Sequence, residues 1–227
     1  MLSVAQLRPS ERAEFIRQTY SHLAGALGGF IAIEMVLFQT GMAGAIAEMV
    51  FSNRFTWLLV LGGFALLGWM AREFTAKTDE KTQYTGLVIY VVAEALIFAP
   101  LLFLATLLGP TVIPTAALMT LGLFGGLTAI VFTTKKDFTF LGGILKIGGM
   151  VALGLIVASI FMGFKLGMLF SAAMVIFAAG SILYDTSKVM HHYEKHQYVA
   201  ASLELFASVA LLFWYVLRIV MELTGRD

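Results

Sequence analysis

Long apolar runs alternate with short polar breaks along this chain, and seven of the runs reach the length that crosses a hydrocarbon core of roughly 30 Å at about 1.5 Å per helical residue. They fall at about 18–38, 55–72, 84–108, 112–133, 142–163, 167–189 and 198–221. The breaks read "QTGMAGAIAEMVFSNR", "REFTAKTDEKTQ", "GPTVIP", "TTKKDF", "GFKLG" and "MHHYEKHQ". This pattern predicts an all-α, polytopic membrane protein with seven transmembrane helices. It forms one membrane domain over 1–227: a tail over 1–17, a bundle over 18–221 and a short tail over 222–227. The fourth and fifth spans carry "GLFGGL" and "GGILKIGG", small residues that let helix backbones approach closely in lipid.

Within the seventh span Glu204, Ser208, Leu211, Tyr215 and Arg218 follow one another at intervals of three or four, which predicts a partly polar stripe along one helix face. In an apolar span such a stripe faces the bundle interior, making this helix a candidate to line a pathway. The simpler alternative is that Tyr215 and Arg218 form an interfacial anchor.

Composition agrees with the pattern: 59% hydrophobic and 13% charged residues, with a mean hydropathy of +0.89, leave little chain for a soluble domain. The absence of cysteine excludes disulfides, thiolate catalysis and Cys-ligated metals. The first apolar run continues to spanning length and reads as an anchor, not a removed signal. Ten basic residues lie in the N-terminal segment and in the second, fourth and sixth breaks. Only four lie on the other side: Arg54, Lys165, Arg218 and Arg226. The asymmetry predicts a cytoplasmic N-terminus and an external C-terminus; a last span that dips in and returns would place both ends inside.

Acidic residues within spans are costly and call for a partner or a watery cavity. Glu94, about 15 Å into the third span, should be neutral or paired. Glu34, near the outer end of the first span, should reach headgroup water. Asp185 and Glu204 flank the tip "MHHYEKHQ" of an antiparallel pair, so they should lie at similar depth. If their faces meet, one proton shared between them makes a pH sensor, and the pair becomes a possible calcium site. The competing reading ends the Asp185 helix at the headgroups, with Asp185 pairing to Lys188 for no more than about 0.5 kcal/mol.

Other chemistry is weakly supported. A membrane serine protease needs a deep serine–histidine pair, but His22 is the only histidine near a span; a retinal protein needs a lysine in the seventh span, which has none between Val199 and Met221. His192, His196 and Glu194 could hold a metal or sense pH, although an ordinary polar loop explains them as well. Nothing points to an enzyme, a resident cofactor or nucleic acid. The sequence does not set an oligomeric state.

Four stretches, "FIRQTYSHLAGAL", "AEALIFAPLL", "GSILYDTSKV" and "YVAASLELFASVALLFWYVLRI", resemble the Bax inhibitor-1 family, in particular its bacterial YccA-like branch. The resemblance runs from about residue 15 to 221. It implies a seven-helix fold with the last helix central, and the bacterial cytoplasmic (inner) membrane as location. It further implies a proton-sensitive calcium leak in some members and, in the YccA-like branch, restraint of the membrane protease FtsH. Asp185 in "LYDTS" matches the first of the family's paired aspartates. Where the second is expected, "ASLELFASVALLF" places Ser208, with Leu211 at the family's asparagine. The dyad is therefore broken, which favours a protease modulator over a channel. Glu204, one turn before Ser208 on the same face, could supply the missing carboxylate. Glu94 matches a family glutamate whose flanking glycines are here Ala95 and Ala99, and Arg72 corresponds to the family's basic partner from the second span. The expected partners are the lipid bilayer and an FtsH-type protease, with a flexible N-terminal tail as the handle.

Overall fold

The computed structural model describes residues 3–53, 55–77 and 79–225, so Arg54 and Arg226 lie outside the described residues. Among these residues the chain forms eight α-helices: α1 (Pro9–Gln39), α2 (Met42–Ser52), α3 (Thr56–Thr75), α4 (Glu80–Leu108), α5 (Val112–Thr134), α6 (Leu141–Met162), α7 (Met168–His191) and α8 (Tyr198–Thr224). All except α2 are long and apolar enough to cross a membrane, so the seven expected spans are α1 and α3 to α8.

Helix α2 lies in what reads as a break. Gly41 adopts a left-handed backbone (φ +75°), which ends α1 and restarts the chain as a helix. Ala43, Ala47 and Val50 then bury one face at helical spacing, and Gly44 admits the ring of Phe103 from α4. Its 11 residues are too few to span.

The first tail is also more ordered than expected. Pro9 at the first turn of α1 and Glu11 just behind it suit a helix start, so α1 begins well before the apolar run. A short 3-10 turn, Val4–Gln6, precedes it. The amide of Val4, a fully buried residue, donates to the carbonyl of Tyr193 at 2.8 Å, and Lys195 reaches Glu11 at 3.0 Å. From Ser3 onward the tail is therefore pinned to the α7–α8 tip and is not a flexible handle.

Helix α8 is central: it packs against α1, α3, α4, α5 and α7, with α7 forming the most extensive interface. Its neighbour α4 is equally enclosed, 61% of the apolar window being buried in each. Small residues allow this. Ala95, Ala99 and Ala105 of α4 are fully buried, and at Gly86 a Cβ would stand 2.6 Å from the carbonyl oxygen of Ala71 in α3. Helix α6 is the opposite case. Its principal packing is on α7, where Gly148 receives the Phe177 ring. It exposes Ile144, Ile147, Met150 and Val151, as a lipid-facing surface does.

We expect Gly86→Ala to destabilise the bundle by about 1–3 kcal/mol through forced separation of α3 and α4. Thermal unfolding in detergent measures this, with Gly126→Ala, where a Cβ meets nothing within 4 Å, as the neutral control.

Candidate functional site

Helices α3 and α6 do not pack along their lengths, although Phe55 before α3 and Phe161 of α6 meet at the far end, ring centroids 6.1 Å apart. Between them, floored by α4, α7 and α8, lies a cavity of about 680 Å³. Glu204, Ser208, Leu211, Tyr215 and Arg218 all line it. Their helical spacing carries this face through fourteen residues, or roughly 21 Å of rise. The stripe read from sequence is thus one continuous cavity wall, and Arg218 belongs to it.

At the basic end, which also carries the N-terminal segment, the polar residues cluster. Ser208 Oγ donates to Asp185 Oδ2 at 2.6 Å, a buried bond across the α7–α8 hairpin. The antiparallel register therefore sets Ser208 opposite Asp185. Glu204, one turn nearer the tip, is reached from α3 instead: Arg72 Nε donates to its Oε1 at 2.8 Å and the terminal nitrogen to Oε2 at 3.3 Å. Both carboxylate oxygens of Glu204 thus face a guanidinium. The sequence placed Asp185 and Glu204 at similar depth, with a shared proton if their faces met; the structure gives them different partners, though they line the same cavity. Lys188 does not pair with Asp185 either. Its ammonium stands 5.3 Å and 5.0 Å from the ring centroids of Tyr184 and Tyr193.

Glu94 of α4 is buried and lines the same cavity. Tyr90, one turn before it, lies under the Arg72 guanidinium at 5.4 Å, so the α3 cation rests between a carboxylate and an aromatic face. Tyr90 was missed from sequence, although its place four residues before an intramembrane glutamate was the available signal. Glu34 does not reach outward. It is buried, and neither carboxylate oxygen meets a hydrogen-bonding partner among the described residues.

A bound calcium ion needs about six to eight oxygen ligands. Both Glu204 oxygens are turned to Arg72 and Asp185 already accepts from Ser208. Among the described residues no three His, Asp or Glu side chains converge on a metal-sized site. Asp185 and Glu204 thus do not fit a resident calcium ion, and calcium enters below only as a permeant species. The histidine tip is not helical between His192 and Gln197. His192 Nε2 lies 3.0 Å from Asp137, and His196 Nδ1 lies 3.6 Å from Glu194. Hydrogen bonds from Thr139, then that of His192, hold the Asp137 carboxyl down at about 2.

A family model described as "Inhibitor of apoptosis-promoting Bax1" matches residues 12–225. The chain is 26% identical to Bax inhibitor 1 of Schizosaccharomyces pombe over 231 aligned positions, covering 99% of this chain and 82% of that protein. It is 37% identical to "Modulator of FtsH protease YccA" of Escherichia coli over 101 residues, 44% of this chain and 45% of the relative. An uncharacterized protein of Pseudomonas aeruginosa is 38% identical over 120 residues, 52% of this chain and 54% of its own length. The chain thus spans about half the length of these two bacterial relatives.

Two outcomes follow from this geometry. Ser208→Ala removes the donor that faces a buried carboxyl, and we expect a loss of about 1–3 kcal/mol in detergent unfolding, with Ser208→Thr retaining most of it. At the tip, the folded pKa of Asp137 lies below its unfolded value near about 3.9, so its stabilisation is present above that pH and fades as pH falls toward about 2. Asp137 is largely exposed, so Asp137→Asn should flatten this acid limb by less than about 1 kcal/mol, as read by melting temperature against pH.

Proposed function

From the premise that the chain belongs to the Bax inhibitor family whose model covers residues 12–225, we propose that it is an inner-membrane regulator that restrains a quality-control protease of the FtsH type. The observation that carries this reading is the separation of the two acids: Asp185 faces a hydroxyl and Glu204 a guanidinium. Each acid has a partner of its own, which supports reading the polar face of α8 as a tie that holds the bundle together. The name of the Escherichia coli relative, a modulator of FtsH protease, supports the same assignment.

A physical route to restraint is available. Degradation of a folded chain follows the population of its opened form when reclosing is fast. Here the segment from Ser3 is tied to the α7–α8 tip by the Val4 amide and by Lys195 with Glu11. A protease docking at the basic end therefore meets a closed, folded surface over the segment from Ser3. The alternative, a pH-gated calcium leak, draws support from the continuous cavity along α8. In that reading protonation at Asp185 would loosen its link to Ser208, while Arg72 on Glu204 closes the basic end. Glu94 then lies on the path.

Reconstitution separates the two. With an FtsH-type protease and a membrane-inserted substrate in liposomes, we expect the protein to slow proteolysis severalfold, and Asp185→Asn to preserve the effect. In protease-free liposomes we expect no calcium flux that changes between mildly alkaline and mildly acidic pH, with Ser208→Asp, which rebuilds a carboxylate pair, as the variant most able to gain one. Unslowed proteolysis by folded protein, together with a pH-dependent flux lost in Asp185→Asn, would replace the regulator by the channel.

A further inference from the structure

The far part of the cavity is built differently from its basic end. Trp57, Leu61, Ile156, Ile160, Leu211 and Trp214 line it, and its walls, α3 and α6, do not pack along their lengths, which leaves a lateral gap between them on the inner side of the Phe55–Phe161 contact. At its outer limit stands Arg218. The guanidinium donates to the backbone carbonyl of Leu166 at 2.7 Å and lies 5.8 Å from the Tyr215 ring. Among the described residues no carboxylate forms an ion pair with it; Glu222, one turn further on α8, does not line the cavity. Lys165, exposed and next in sequence to the cavity-lining Leu166, is near enough along the chain to bring a second positive charge to this mouth, although it does not itself line the cavity.

We propose that this cavity receives one acyl chain of an anionic phospholipid, inserted sideways between α3 and α6, with its phosphate held by Arg218 and Lys165. Charge sets the direction. The basic end presents Glu94, Asp185 and Glu204 with Arg72 as the lone lining cation, and would repel an anionic head. Among the cavity-lining residues the far part carries one charged side chain, Arg218, and arginine pairs well with phosphate. Length agrees as well. One leaflet is about 15 Å of hydrocarbon, which is ten residues of helix rise, and ten residues before Arg218 is Ser208, where the polar cluster begins. The tail therefore fills the apolar stretch and stops at the Asp185–Ser208 bond. At about 680 Å³ the whole cavity lies within the common range of ligand sites, roughly 300–1,000 Å³. A chain seated there would also cover Leu153, Ile156 and Ile160 of α6, and it requires neither a protease nor a calcium flux.

The test uses the full chain with Trp69→Phe, because Trp69 is exposed on α3 and would report bulk lipid, whereas Trp57 and Trp214 stack at 6.0 Å in the cavity. Phosphatidylglycerol brominated along its chain is titrated into phosphatidylcholine nanodiscs, and tryptophan quenching is read. We expect quenching that saturates at low mole fraction. Arg218→Gln should shift half-saturation by about tenfold, the loss of one charge-assisted bond. Ile156→Phe, which fills the cavity and leaves Arg218 in place, should abolish saturation, so a folding defect in one variant does not decide the result. Quenching that only tracks mole fraction, or saturation unchanged in both variants, overturns the site. Saturation by bromostearate but not by the phospholipid overturns the phospholipid assignment.

Discussion

Packing α8 among α1, α3, α4, α5 and α7 obliges its polar side chains to find partners within the protein, because hydrocarbon offers none. Two links, made of three hydrogen bonds, meet that demand near the basic end. Ser208 donates to Asp185 across the hairpin, and Arg72 crosses from α3 to both oxygens of Glu204. Together they tie three helices within one turn of α8, and the bond to Asp185 fixes its register against α7. The close approach of α3 and α4 at Gly86 then determines where Arg72 lies, above Tyr90 and within reach of Glu204.

That arrangement divides the molecule into a tight part and a loose one. Helices α1, α4, α7 and α8 form the packed centre, and the N-terminal segment closes its basic end. Helix α6 rests on α7 through ring-into-glycine contacts at Gly142 and Gly148 and otherwise faces outward. The cavity exists because α3 and α6 are each held by other helices and not by one another. A buried polar cluster and an apolar pocket thus share one wall, the face of α8.

Much of this was legible in the chain. Span number follows from apolar length, since each crossing must satisfy its backbone internally over a fixed thickness. The stripe from Glu204 to Arg218 was visible because helical period alone decides which side chains share a face. The family resemblance, carried by "LYDTS" and the helix after it, gave the central place of the last helix. Other features could not be read. Helix α2 hides in a break because eleven residues fall short of a span, and the N-terminal tail looks solvated because its anchors, Tyr193 and Lys195, are distant in sequence.

The sequence by itself determined the class, the spans and the polar face of α8, for these depend on composition, length and period. Only the tertiary structure decided that Asp185 faces Ser208, that Glu204 belongs to Arg72, that Glu34 points inward and that α3 and α6 enclose a cavity. The reason is physical. A carboxylate's partner is set by the register and rotation of neighbouring helices, and a shift of one turn, about 5.4 Å, exchanges one partner for another while leaving every sequence pattern intact.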